Sequence, residues 1–336
     1  MHSTAISLGN EEFEGKNNAY LLESGDVTAL VDTGIATDEI HDELRDGLSS
    51  HGYTFADVDL VLLTHYHPDH AGLAGPIERA GDARIVVHEA DAPIVLDPSP
   101  SNEGLYSDHL DRFERWGMPE AALAELRPYL DLASVMDPPE TVETVTDGDQ
   151  IEVGDSVIEV VHAPGHTAGL CCFAFESDTG DREAFVGDAI LPVYTPNVGG
   201  ADIRVERPLG AYLDTLDRLA AANYDRAWPG HRDVIEEPSD RAREIIDHHN
   251  ERTGRVVEVI RETGAATPWE VSAELFGDLE GIHIMHGPGE AFAHLDHLAH
   301  HGVLVCEDGS YRLLDETLAT DKLVQPGSSR SGGDGD

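Results

Sequence analysis

The sequence predicts an α/β protein, with one large domain of mixed strands and helices and a small helical module behind it. Three observations carry that expectation. Short apolar runs bounded by Gly, Asp and Pro alternate with stretches whose apolar residues recur at helical spacing. The length of 336 residues, 40% of them hydrophobic, suffices for one large core or for a main domain and a smaller one. After about residue 240, short strands give way to helical patterns and a terminal hairpin.

Along the chain, residues 19–22 and 27–31 are apolar runs around Ser24-Gly25-Asp26, a hairpin turn, and Asp32-Thr33-Gly34 ends the second run. Residues 38–50 read as a helix, with Ile40, Leu44 and Leu48 at four-residue spacing. A buried strand over 58–63 runs straight into Thr64-His65, and a helix over 72–80 and a strand over 84–88 follow. From 90 to 130 the character changes. Pro93, Pro98 and Pro100 interrupt the chain, then 105–116 and 119–130 read as helices, forming a helical insertion over the surface. Strands resume at 141–145, 151–153, 157–162, 171–175 and 184–186, followed by an amphipathic helix over 209–222 and a last strand over 224–228. Residues 241–262 read as one long helix, and 268–276 and 289–301 as shorter ones. Glu307-Asp308-Gly309-Ser310 is a turn signal between strands at 303–306 and 311–313. The expected units are therefore a domain over 1–240, a winged-helix-like module over 241–315 and a tail over 316–336, whose Gly-, Ser- and Asp-rich end predicts disorder.

Asp and Glu number 66 against 21 Lys and Arg, a net charge of −45, and Lys16 and Lys322 are the only lysines. Self-repulsion of that size destabilises a compact fold at low ionic strength. At 1 M salt the Debye length shrinks to about 3 Å and most of the penalty disappears. The acid-rich, lysine-poor pattern therefore predicts a halophilic protein, adapted to a salt-laden cytoplasm. The same charge disfavours nucleic acid as a partner, because phosphate binding requires Lys and Arg to displace counterions. No apolar run is long enough for a membrane span. The N-terminus lacks a basic stretch followed by an apolar block, so a cytoplasmic location is expected. Of three cysteines, Cys171 and Cys172 are adjacent and would face opposite sides of a strand, while Cys306 stands alone.

The chemistry concentrates in Thr64-His65-Tyr66-His67-Pro68-Asp69-His70. Its four metal-capable side chains cannot all point one way on a regular strand or helix, but a turn after a buried strand splays them into two groups. Imidazole nitrogen and carboxylate oxygen together suit zinc and other first-row metals. Three further segments place a candidate ligand just after an apolar run: His166 in Ala163-Pro164-Gly165-His166-Thr167, Asp188 after Phe185-Val186-Gly187, and His231 after Trp228-Pro229-Gly230. If the strands share one edge of a sandwich, all four segments converge there. Seven ligands exceed what one catalytic zinc takes, and they suit two metals about 3.5–4 Å apart with a shared carboxylate.

The His-x-His-x-Asp-His segment, Pro164-Gly165-His166-Thr167-x-Gly169, Gly187-Asp188 and Gly230-His231, in that order, resemble the metallo-beta-lactamase superfamily. Within it, the chain is most similar to the glyoxalase-II-like and beta-lactamase-like hydrolases. Asn18-Ala19-Tyr20-Leu21-Leu22 and Leu30-Val31-Asp32-Thr33-Gly34 match the family's opening strands, and the resemblance spans about residues 5–240. It implies a four-layer αββα sandwich with metals at one sheet edge. It also implies that His65, His67 and His166 hold the first metal, Asp69, His70 and His231 the second, and that Asp188 bridges them. The terminal module resembles the winged-helix-like domain of some beta-lactamase-like hydrolases.

The implied activity is hydrolysis by a hydroxide shared between two divalent ions, zinc first and iron or manganese as alternatives, with Asp69 orienting the nucleophile. A small thioester or ester substrate is expected. The alternatives are a nuclease or phosphodiesterase, which the acidic composition opposes, and a non-catalytic binding protein, which would require lost ligands. An electron-transfer flavoprotein relative is disfavoured because His67 stands where that group has an acidic residue. Beyond the seven, His162 reads as a structural histidine. Tyr66, Tyr194 and Asn197 read equally as packing or substrate contacts. His294, His297 and His301, at helical spacing, read as packing or solvent-facing, and Asp32 as a strand end that the family uses to support the metals.

Overall fold

Apolar alternation along the strands resolves into two mixed sheets in the computed structural model, which describes residues 1–9, 15–99, 105–200 and 202–315. The expected disordered tail lies outside the described residues. The first sheet contains β1 (His2–Leu8), β2 (Asn17–Ser24), β3 (Val27–Val31), β4 (Leu60–Leu62), β5 (Arg84–His88) and β6 (Glu143–Val145), in sequence order across the sheet. Its first pairings are antiparallel, and from β3 to β6 they are parallel. The second sheet contains β7 (Gln150–Val153), β8 (Ser156–His162), β9 (Cys171–Glu176), β10 (Arg182–Gly187) and β11 (Arg226–Pro229), in the order β11-β10-β9-β8-β7. β10 and β11 are parallel, while β9 runs against both β8 and β10. β8, β10 and β11 therefore end at the same edge.

The helices before residue 230 are α1 (Asp38–Ser50), α2 (Pro68–Ala71), α3 (Ala74–Gly81), α4 (Ala92–Leu96), α5 (Leu105–Arg115), α6 (Glu120–Leu126) and α7 (Pro208–Ala222). Thr37 caps α1 by accepting the Ile40 N–H, and its Ile40-Leu44-Leu48 stripe is buried against the first sheet, as the spacing predicts. Between the sheets, Tyr20, Leu22, Val31 and Leu62 meet Val160, Phe173, Phe175 and Phe185. On the far face of the second sheet, Val161, Cys172 and Val186 meet Leu209, Leu216 and Leu219 of α7. Helices thus cover both outer faces, giving the four-layer αββα sandwich. Cys171 belongs to the inter-sheet core and Cys172 to the helix-facing one, as strand alternation requires.

The remaining elements are α8 (Pro238–Thr263), α9 (Pro268–Phe276), α10 (His283–His300) and a hairpin of β12 (Leu304–Glu307) and β13 (Ser310–Leu313). α8 belongs to two cores. Its Ala242, Ile245 and Ile246 pack with α7, and its Val256, Val257 and Ile260 pack with Val271, Leu295 and Leu304. α10 begins at His283 rather than at residue 289, so Gly287-Pro288-Gly289 lies within it, held by burial of Ile284 and Met285. The helix expected over 72–80 is preceded by the separate single turn α2, and the one expected over 119–130 ends at Leu126 and tightens into a 3-10 turn. Phe113, Trp116, Met118 and Leu126 of the 90–130 insertion bury against Ile284 and Met285, so this segment packs on α10. Among the described residues, no helix is long and apolar enough to cross a membrane.

Candidate metal centre

Each candidate ligand sits where a strand stops. β4 delivers His65 through Leu63 and Thr64, and the Thr64 carbonyl accepts the Cys171 N–H at 2.8 Å, tying the first sheet to the second. Pro68 at the first position of α2 fixes the turn that splays His67, Asp69 and His70. β8, β10 and β11 lead to His166, Asp188 and His231 at their shared edge. Gly230 packs so tightly there that a Cβ would lie 2.4 Å from Asp188 Oδ1 and 2.5 Å from His70 Cε1. A side chain at that position would displace the cluster.

All seven residues predicted from the sequence come together. His67 Nδ1 lies 3.0 Å from both His65 Nε2 and His166 Nε2. His231 Nε2 lies 3.5 Å from Asp69 Oδ2 and 3.4 Å from Asp188 Oδ2, and His70 Nε2 lies 3.7 Å from Asp69 Oδ2 and 3.6 Å from Asp188 Oδ1. Asp188 Oδ2 is also 3.7 Å from His166 Nε2, so this carboxylate stands between the two groups. The donor sets His65-His67-His166 and Asp69-His70-His231 each have ligand atoms within 4.8 Å of one another.

The donors fit divalent cations. His70 Nε2 and Asp188 Oδ1 are buried with no hydrogen-bond partner among the described residues, although each points into the cluster. Such orphaned atoms are costly unless a cation satisfies them. The opposite ring nitrogens are oriented: His65 Nδ1 by Thr64 Oγ1 at 3.0 Å, His166 Nδ1 by the Asn197 carbonyl at 2.8 Å, and His70 Nδ1 by Asp32 Oδ2 at 2.8 Å. Burial, and then neighbouring imidazoles, hold His65 and His67 well below the ordinary histidine value, which is the neutral form that can ligate. Burial would also depress His70, but Asp69, Asp188 and Asp32 outweigh it and raise it to about 10. The same carboxylates favour positive charge at this position, which a bound metal ion would supply.

Several supporting residues were not singled out from the sequence. The Asn17 side-chain amide donates to Asp69 Oδ2 at 3.1 Å. Behind the ligand loops, Asp91 accepts from the Tyr66 N–H and the Thr167 hydroxyl, and Asp202 accepts from the Ala168 N–H. Arg204 bridges the two carboxylates at 2.7 and 2.6 Å, and burial still pushes Asp91 up to about 6. No local signal marks these partners, because Asp91 is 113 residues from Arg204 in the chain. His162 is structural, its Nε2 2.8 Å from the Ala168 carbonyl. His294 is fully buried beside Glu290 and His249, a carboxylate-containing group that helical spacing alone did not reveal.

A family model described as the metallo-beta-lactamase superfamily matches residues 13–231. Beta-lactamase-like protein 2 homologs from Caenorhabditis elegans and Drosophila melanogaster are 25% and 28% identical to the chain. Those matches cover 78% and 72% of this chain and 71% and 67% of theirs. The crystal structure of a metallo-beta-lactamase family protein from Thermus thermophilus superposes with a TM-score of 0.80 at 29% identity, covering 93% of this chain and 98% of that one. A beta-lactamase domain protein from Burkholderia ambifaria shares the fold, with a TM-score of 0.76 at 23% identity, over 93% and 91% of the two chains. With the ligand order, the sandwich and these likenesses in agreement, the chain belongs to the metallo-beta-lactamase superfamily.

Proposed function

We propose that the protein hydrolyses a small acyl substrate of the thioester or ester class, with two divalent ions, zinc foremost, held by the seven residues of the cluster. His65, His67 and His166 would hold one ion and Asp69, His70 and His231 the other, with Asp188 serving both. Divalent ions held there would lower the pKa of water towards neutrality and polarise a substrate carbonyl. Asp69, fixed by the Asn17 amide, is placed to orient the attacking water and accept its proton.

The observation that carries the acyl reading is the cavity in front of the cluster. Its volume is about 1040 Å³, and Ile35, Leu132, Val193, Phe276 and Met285 are among its many apolar lining residues, beside His67, Asp69 and Asp188. The apolar side chains suit an acyl chain, and Arg232, Arg241 and Arg252 in the same lining supply cations for an anionic group on such a substrate. A nucleic-acid backbone calls for an extended basic track, which a net charge of −45 opposes. The composition supports a cytoplasmic setting rich in salt and a small-molecule substrate.

The test joins metal content to a substrate panel at molar KCl: S-lactoyl thioesters, lactones, bis-p-nitrophenyl phosphate and single-stranded RNA. Thioester or lactone cleavage with two ions per chain is expected, and His67→Ala and Asp188→Ala should lose both activity and full occupancy. Cleavage of RNA alone would favour the nuclease reading, and cleavage of nothing a binding protein.

A further inference from the structure

The C-terminal helices reach the metal cluster through one buried carboxylate. Glu290, on α10, is 4% exposed. Its Oε1 accepts from Arg252 Nη1 of α8 and lies 3.5 Å from His249 Nδ1 and 3.6 Å from His294 Nε2. His249, Glu290 and His294 have ligand-like spacing. The Arg252 guanidinium already supplies the positive charge, so the group reads as a lock between α8 and α10 rather than as a third ion site. The other oxygen, Oε2, accepts the buried Val198 N–H at 3.1 Å. The preceding carbonyl, that of Asn197, accepts Nδ1–H of His166 at 2.8 Å. The Asn197 side-chain amide in turn donates to the His286 carbonyl of α10 at 3.0 Å. Backbone packs on backbone beside it: a Cβ on Gly289 would fall 2.0 Å from Gly200 Cα.

The chemistry of imidazole makes this connection consequential. His166 offers Nε2 to the cluster only if Nδ1 carries the proton, and that proton needs a fixed acceptor. The 197–200 loop supplies the acceptor, and α10 fixes the loop. We propose that Glu290 is a positioning residue: through Val198 and Asn197 it holds His166 in the tautomer and orientation that complete the His65-His67-His166 set. The C-terminal helices are then part of the centre rather than an appendage. This rests on the metal-hydrolase reading above.

Cobalt(II) alone, titrated into metal-free full-length protein and followed by visible absorption, tests it, with the melting temperature of each metal-free variant recorded in parallel. Wild type should take up two ions. Glu290→Ala should weaken one of the two sites by about ten- to a hundredfold and leave the other tight. Glu290→Gln, which keeps one acceptor for the Val198 N–H but gives up the ion pair with Arg252, should recover most of the affinity of the weakened site. Gly289→Ala, which drives a methyl group into Gly200, should reproduce the selective loss, and it decides the matter if Glu290→Ala does not fold. Gly254→Ala on α8, whose added Cβ meets nothing within 4 Å, should bind as wild type. Two unweakened sites in Glu290→Ala would overturn the proposal. So would equal weakening of both sites in step with a lower melting temperature. A wild type that takes up no cobalt would instead overturn the metal-centre reading, and this proposal with it.

Discussion

Asp32 shows how much a single residue contributes to the centre without facing the cavity. It adopts a left-handed backbone, with φ of 58°, at the end of β3. Such a conformation costs of order 1 kcal/mol or more in a non-glycine residue and persists where the surroundings over-determine it. Here they do: Oδ1 accepts the Thr64 N–H, and Oδ2 accepts the Thr64 hydroxyl and pairs with His70 Nδ1, each at 2.8 Å. Asp32→Ala should leave the fold intact and lower metal affinity by about ten- to a hundredfold, read by competition with a chelator. Unchanged affinity would show that His70 orients itself. The seven candidate ligands were legible in the sequence because each is a metal-capable residue in a turn after an apolar run, and their motifs follow one another in the family's order. The roles of Asn17 and Glu290 were not, because nothing local distinguishes them from ordinary polar residues.

Between elements, the Asp91-Arg204-Asp202 triad clamps two ligand loops from behind. Asp91 precedes α4, Asp202 and Arg204 precede α7, and Arg204 also lies 4.9 Å over the Tyr66 ring. Removing the guanidinium strands two buried carboxylates, so Arg204→Ala should cost about 3–5 kcal/mol in urea unfolding. Arg204→Lys should recover only part, since an ammonium cannot span both acids in the same planar fork. A loss within experimental error would mean that the clamp is incidental. The elements themselves were mostly anticipated, since α1 and β8 follow from the period of their apolar residues. The early start of α10 was not. Gly-Pro-Gly reads locally as a break, and only the burial of its first turn against the insertion makes the helix continue through it.

At the scale of the molecule, charge sets the conditions under which this fold is stable. With a net charge of −45, raising KCl from about 0.1 M to molar concentration should raise the melting temperature steadily, since screening removes self-repulsion. A flat or falling curve would argue against adaptation to salt. Composition, periodic patterning and the order of the ligand motifs need no tertiary information, so the chain alone announced its charge, its layered α/β architecture and its seven converging side chains. Their spacing within the cluster, the apolar cavity in front of it and the coupling of α10 to His166 arise from contacts between residues far apart in the chain. Such contacts leave no period in a sequence, because they depend on how finished elements pack and not on the conformational preferences of neighbouring residues.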